Sequence, residues 1–324
     1  MAKAVRVHAY GGPEVLKYED VEVGRPGPGQ LRIRHHAIGV NFIDTYFRTG
    51  LYPAPSLPFV LGNEGAGEVV EVGEGVAGFK PGDRVAYVIT LGNYAEERIA
   101  DAKSVVKLPD GIDYDTAAAM MLKGMTVQYL LRRTFAVKSG DTILFHAAAG
   151  GVGLIACQWA KHLGATVIGT AGSEEKAELA RKNGADHVIL YRQEDVAKRV
   201  REITGGEGVP VVYDGVGKAT FQGSLDSLKP FGVFVSFGSA SGPIDAFNIG
   251  ILAQKGSLYA TRPTLNTHTA KRETLEEIAG DLFKVVTSGA VKIPIHSRRP
   301  LSEAADVHRA LEGRETTGAT VMHP

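Results

Sequence analysis

Thr142-Ile-Leu-Phe-His-Ala-Ala-Ala-Gly-Gly-Val-Gly153 is the stretch that decides the fold. An apolar strand runs into a turn of small residues, and a helical pattern opens at Gly151. Aligned to G-x-G-x-x-G, Ala148 stands in the first glycine's place, and Gly150 and Gly153 hold the other two. A glycine at 150 lets backbone amides approach a pyrophosphate. A glycine at 153 lets the helix pack closely on its strand. Gly151 and Val152 open the helix, whose free N–H groups and partial positive charge suit an anion. The motif alone is weak. Its place between a strand and a helix, inside a run of such pairs, makes it a dinucleotide-binding turn.

Strand and helix alternate on both sides of that turn. Strands are expected at Thr142–His146, Ala165–Thr170, His187–Leu190, Val209–Tyr213, Val233–Phe237 and Ser257–Ala260. Helices are expected at Gly151–Leu163, Glu174–Asn183, Asp195–Thr204 and Phe221–Leu228, with Gly164 and Gly184 at helix ends. This alternation implies an α/β, doubly wound parallel sheet of the Rossmann kind. The first third reads differently. Leu31–Ile38, Glu68–Val72 and Asp83–Val88 are short strands between Gly/Pro punctuation, as in a small barrel-like or sandwich-like domain. Two helical stretches begin at Thr116 and Thr126. The tail offers a long helix at Glu273–Ser288 and a short strand at Gly318–His323. The tail is expected to fold back onto the first domain, giving a discontinuous domain at 1–125 and 265–324 and a nucleotide domain at 126–264.

Composition excludes several classes of function. The chain has 324 residues, 44% hydrophobic and 22% charged, with 36 basic against 36 acidic side chains. That balance fits a folded chain and lacks the basic footprint of a nucleic-acid binder. The single cysteine, Cys157, rules out an intrachain disulfide and every multi-cysteine zinc pattern. No apolar stretch reaches the roughly 18 residues of a membrane span, and Met1–Tyr10 shows no leader pattern. A cytoplasmic location is the expectation. The 40 glycines point to many tight turns and close approaches.

The end of the second strand sets the nucleotide preference. An NAD site places an acid there for the ribose hydroxyls. Val167-Ile-Gly-Thr-Ala-Gly-Ser173 has none. Ser173 is expected to cap the next helix, and Lys176 sits unfavourably in its first turn unless a 2′-phosphate faces it. NADP(H) is therefore expected. The ten histidines form no H-E-x-x-H and no Cys/His cluster, and no G-x-S-x-G is present. Adjacent His35 and His36 face opposite sides of a strand, and Cys157 reads as a core residue. Hydride chemistry would run without a protein-bound metal, with the cofactor carrying the hard step.

These residues resemble the medium-chain dehydrogenase/reductase superfamily, and within it the zinc-free quinone oxidoreductases of the zeta-crystallin type. The resemblance is carried by Gly11–Leu16, Val40-Asn-Phe-Ile-Asp44, Leu61–Val70, Lys80–Val85, Ala147–Gly153, Val212–Gly217 and Gly256–Pro263. The zinc alcohol dehydrogenases of the superfamily carry Gly-His-Glu where this chain has Gly62-Asn63-Glu64. The resemblance implies a GroES-like catalytic domain beside the Rossmann domain, with a cleft between them. It implies NADPH contacts at Asn41, Tyr46 and Thr126, with Gly215, Phe237 and Gly238 flanking the nicotinamide half. Ser173, Lys176, Tyr191 and Arg314 would surround the 2′-phosphate, and Tyr46 and Tyr52 would line a quinone pocket. With Asn41, these two tyrosines are the catalytic candidates. A homodimer is expected, because the sixth Rossmann strand would otherwise be an open edge. The rival readings are an enone or enal double-bond reductase on the same scaffold and an RNA-binding or crystallin-like structural role.

Overall fold

The computed structural model describes residues 1–88, 91–313 and 316–324. The chain divides into two compact units. One holds Met1–Met125, Thr269–Phe283 and Ile293–Pro324; the other holds Thr126–His268 and Lys284–Lys292.

In the second unit, six strands form one sheet: Thr142–Phe145, Thr166–Ala171, His187–Leu190, Val209–Asp214, Leu228–Ser236 and Tyr259–Thr261. Every pairing is parallel. Numbered along the chain, the strands lie in the order third, second, first, fourth, fifth, sixth. This is the doubly wound order, and it reverses between the first and fourth strands, where such sheets bind ligands. Helices Gly151–His162, Glu174–Lys182, Val196–Ile203 and Phe221–Ser227 follow the first four strands in turn. Leu144, Ile168, Ile189, Val212, Leu225 and Phe234 form one buried cluster in this unit. Gly164 and Gly184 take φ of +83° and +100° just past two helix ends, a conformation that favours glycine.

Two strands of this sheet differ from expectation, and in the first unit the strand expected at Glu68–Val72 begins at Glu64. The fifth starts at Leu228, five residues early, and a register shift against Val209–Val211 absorbs the Lys229–Gly232 turn chemistry. The sixth is Tyr259–Thr261, because Ser257 has a φ of +57° that no strand residue can hold. The stretches beginning at Thr116 and Thr126 form one helix, Tyr114–Tyr129, which ends in a π-helical turn at Leu130–Thr134.

The first unit contains a seven-stranded sheet. Its main path runs Ile295–Pro300, Ala319–His323, Gln30–Gly39, Glu64–Val72, Arg84–Val88 and Val105–Lys107, and Glu97–Asp101 also pairs with Gln30–Gly39. A three-stranded sheet of Leu16–Val21, Ala2–Val7 and Phe59–Val60 lies in the same unit. The tail strand pairs antiparallel with Gln30–Gly39, Val321 opposite Gly39. Ile295–Pro300 shows no apolar alternation and is half-buried at best, so its pairing with the tail strand is what makes it a strand. Val5, Ile38, Leu61, Tyr94 and Met322 share one core, and Leu31, Ile33, Val69, Val85 and Val105 another.

Candidate active site

The glycine turn opens the 12-residue helix Gly151–His162, with Gly150 at its N-cap. No side chain caps that end, so its leading N–H groups have no such acceptor. A Cβ on Gly153 would lie 2.4 Å from the Ala147 carbonyl oxygen and 2.7 Å from two Ala148 backbone atoms. Only glycine lets the helix start this close to the turn. A Cβ on Gly150 would meet only the Ala147 oxygen, at 3.2 Å, and would otherwise fill the space above the turn. The cradle fits a pyrophosphate. Ala148 can replace the motif's first glycine because Gly169 faces it: a Cβ there would stand 2.6 Å from the Ala148 methyl.

A hydrogen-bonded chain crosses the ends of the second, first and fourth strands beside this turn. The Ala147 N–H donates to Thr170 Oγ1 at 3.1 Å, and Ser224 Oγ donates to Asp214 Oδ2 at 2.7 Å. His146 bridges them, with Nδ1 3.2 Å from Thr170 Oγ1 and Nε2 3.0 Å from Ser224 Oγ. The Ser224 hydroxyl is spent on Asp214, so His146 Nε2 carries the hydrogen and Nδ1 accepts from Thr170. Burial lowers the His146 pKa and keeps the ring neutral. Asp214 also accepts from the N–H groups of Val216 and Gly217, which fixes the Gly215 loop. A Cβ on Gly215 would lie 2.9 Å from the Phe237 ring, and one on Gly238 2.4 Å from the Gly215 oxygen. Gly215, Phe237 and Gly238 therefore form one packed corner.

After the second strand, Ser173 caps its helix through the Lys176 N–H at 3.4 Å. The Tyr191 hydroxyl lies where a Cβ on Gly172 would approach it to 2.6 Å, and Tyr191 is 43% exposed. Ser173 and Tyr191 thus flank the Gly172 end of the strand, and Lys176 lies in the helix's first turn with Glu174 and Glu175. Arg314 lies outside the described residues.

In the first unit, Asn41 caps the helix Phe42–Thr49. Tyr46 is on that helix, and the Tyr52 N–H donates to its carbonyl at 3.0 Å. The two rings meet edge to face at 5.3 Å, and Phe47 meets Tyr52 at 5.8 Å. Both tyrosines are half-buried. Thr126, the first residue of the second unit, is buried on Tyr114–Tyr129.

Beneath Asn41 lies a polar network that sequence reading missed. The Asn41 N–H and the Tyr94 hydroxyl donate to Asp44 Oδ2 at 2.9 and 3.0 Å, and Asn63 Nδ2 donates to Oδ1 at 2.8 Å. His308 Nε2 lies 3.1 Å from the Tyr94 oxygen, and its Nδ1 lies 3.0 Å from Arg48 Nη1. Arg48 also forks onto Glu312 at 2.7 and 2.9 Å. Burial, then the Arg48 charge, holds the His308 pKa at about 3. Burial raises Asp44 to about 6 against the opposing pull of its hydrogen bonds. On the other side of Asn41, its Nδ2 donates to Glu64 Oε2 at 2.7 Å.

Residues 27–110 match the alcohol dehydrogenase GroES-like domain, and residues 151–280 match the zinc-binding dehydrogenase family. A quinone oxidoreductase of Pseudomonas aeruginosa is 56% identical over the full length of both chains. The chain belongs to the quinone oxidoreductases of the medium-chain dehydrogenase/reductase superfamily. The solved structure of Escherichia coli quinone oxidoreductase complexed with NADPH superposes with a TM-score of 0.98, at 49% identity and full coverage of both chains. A 2-haloacrylate reductase of a Burkholderia species is 48% identical, over 100% of this chain and 99% of its own.

The mixed fold expected of the family, a Rossmann-like domain and a GroES-like domain, is therefore the fold of this member. Asn63 donates to Asp44, and among the described residues no group of three or more His, Cys, Asp or Glu could hold an ion. His35 is buried, its Nδ1 2.6 Å from the Ala95 carbonyl oxygen and its Nε2 on the Tyr87 hydroxyl, whereas exposed His36 stacks on Tyr114 at 4.3 Å. Cys157 is fully buried, and burial pushes its thiol up to about 12. No described helix is long and apolar enough to cross a membrane.

Proposed function

We propose that this chain is an NADPH-dependent quinone reductase that works without zinc. The observation that carries the reading is 56% identity, end to end, with a quinone oxidoreductase. NADPH, when bound, supplies the hydride. Gly150, Gly151, Val152 and Gly153 would hold its pyrophosphate on the helix N-terminus. Ser173, Lys176 and Tyr191 would hold the 2′-phosphate, and Asn41, Tyr46, Thr126, Gly215, Phe237 and Gly238 the nicotinamide half. The edge-to-face pair Tyr46 and Tyr52 offers a quinone flat aromatic surface with a phenol at hand. A quinone's reduced oxygens take protons from water, so no acid–base dyad is required.

Double-bond reduction is the second reading, favoured by 48% identity to a 2-haloacrylate reductase. Parallel turnover of NADPH and NADH with a quinone and an enone, with and without an RNA competitor, tests both. Quinone reduction with NADPH preference is expected. An enone turned over faster than any quinone would move the assignment, and inhibition by RNA would revive the binding role.

The protein acts as a cytoplasmic homodimer in this reading. The sheet's terminal strand Tyr259–Thr261 is exposed along its length, and Tyr259, Ile249 and Phe247 are exposed in the same unit. An unpaired apolar edge of this kind is a liability that a second copy removes. Light scattering at the single-chain mass at micromolar concentration would refute the dimer. Stoichiometric zinc, lost together with activity on chelation, would refute the metal-free reading.

A further inference from the structure

Lys123 is buried on the helix Tyr114–Tyr129, and the mechanism above leaves it unused. Its ammonium has three donors. Among the described residues it meets two acceptors, the Val40 carbonyl oxygen at 3.2 Å and Glu64 Oε2 at 3.5 Å. Both contacts sit at or beyond the long end of the hydrogen-bond range. Glu64 does not need this cation as a donor. Its Oε2 already accepts from Asn41 at 2.7 Å, and its Oε1 accepts the Leu122 N–H at 2.8 Å from inside the helix. An ion pair serving only to neutralise Glu64 would close to about 2.7–2.9 Å. Lys123 is instead a buried ammonium with two long contacts for three N–H groups, an arrangement that is costly unless another group completes it.

Its position indicates what that group is. Val40 precedes Asn41, and Asn41 shares Glu64 Oε2 with the ammonium. Thr126 follows three residues later on the same helix. Both are assigned above to the nicotinamide half, and the helix capped by Asn41 carries Tyr46 of the quinone pocket. We propose that Lys123, steadied by Glu64 and the Val40 carbonyl, donates its remaining N–H to the quinone oxygen on which negative charge develops. As the quinone takes up the hydride pair, that oxygen becomes an oxyanion and the nicotinamide is left oxidised. The N–H···O bond strengthens with the charge, and water supplies the proton that completes the hydroquinone.

The proposal rests on the quinone-reductase reading, so wild-type turnover of a quinone with NADPH comes first. Its absence fails that reading before any variant is made. The variants are Lys123→Met and the charge-neutral pair Lys123→Met with Glu64→Gln, which leaves no unpaired carboxylate if the single change does not fold. Because a glutamine at 64 has one acceptor oxygen where Glu64 uses two, Glu64→Gln alone is the reference for NADPH; relative to it, NADPH affinity by fluorescence titration should stay within about threefold in the pair. Quinone kcat/KM should fall about 10²- to 10³-fold, the scale for losing an oxyanion donor. Across quinones of graded reduction potential, the variant's rates should fall more steeply as the acceptor becomes weaker. A double variant within threefold of wild type would reduce Lys123 to a counter-ion of Glu64 and overturn the proposal. A loss of NADPH affinity equal to the loss of kcat/KM would overturn it too, by placing the ammonium on the nicotinamide carboxamide.

Discussion

Gly150→Ala and Gly153→Ala are three residues apart in one turn, yet the structure separates their consequences. At Gly153 a methyl would stand 2.4 Å from the Ala147 oxygen and 2.7 Å from two backbone atoms of Ala148. Neither neighbour is a flexible side-chain tip, so the helix must move by most of an ångström. Alanine is favoured over glycine within a helix by about 1 kcal/mol. Overpacking against backbone costs about 1–3 kcal/mol or more. Against fixed backbone the clash takes the upper part of that range, and Gly153→Ala should lose up to about 2 kcal/mol of stability in denaturant titration. Gly150 has φ −78° and ψ 169°, extended backbone open to any residue, and its methyl meets one oxygen at 3.2 Å. That contact is offset by a gain of about 0.4–1 kcal/mol from a less flexible unfolded chain. Gly150→Ala should therefore fold as well as wild type. Its methyl would occupy the place where the pyrophosphate approaches, so the NADPH Kd should rise at least about tenfold, or 1.4 kcal/mol. A Gly150→Ala protein that binds NADPH as wild type does would refute the pyrophosphate assignment. A fully stable Gly153→Ala protein would refute the packing argument.

Three further outcomes are expected. Lys176→Ala should weaken NADPH by about 1–3 kcal/mol in titration and leave NADH unchanged, and equal losses would remove the 2′-phosphate assignment. Tyr→Phe at Tyr46 or Tyr52 should cost less than about tenfold in kcat/KM at saturating NADPH, with Tyr→Ala costing more; Phe as damaging as Ala would indicate an essential proton donor. Asp44 has its folded pKa raised from 3.8 to about 6, so the folded state binds the extra proton between these values. Its contribution to stability therefore falls as pH rises from about 4 to 6, by about 3 kcal/mol in all. Denaturant titrations at pH 4 and pH 7.5 should show this pH-dependent difference between wild type and Asp44→Asn, and parallel curves would contradict it.

The nucleotide unit was legible because its signals are local. A strand, a glycine turn and a helix lie within about thirty residues, and each hydrophobic period reports the element that carries it. The exceptions were backbone choices that composition does not announce. Ser257 takes a left-handed conformation that its side chain does not announce, and the sixth strand starts beyond it. Ile295–Pro300 has little apolar pattern and is a strand only through its neighbour.

The Asn41 network was illegible for the opposite reason. Tyr94 lies 50 residues from Asp44, and His308 lies 214 from Tyr94. The tail strand's pairing with Gln30–Gly39 brings the C-terminal segment into the same unit as Asn41, and no motif spans that distance. Once assembled, the network has only one consistent direction. Arginine can only donate, so His308 Nδ1 accepts from Arg48 and Nε2 carries the hydrogen. Tyr94 therefore receives from His308 and gives to Asp44, where the Asn41 and Asn63 donors also end. Asn41 is thus held by its backbone N–H on Asp44 and by its side-chain amide on Glu64, the carboxylate that also steadies Lys123. The residues that sequence could name, Asn41 and Tyr46, stand on a framework of charges it could not show. That framework fixes where the named residues can reach.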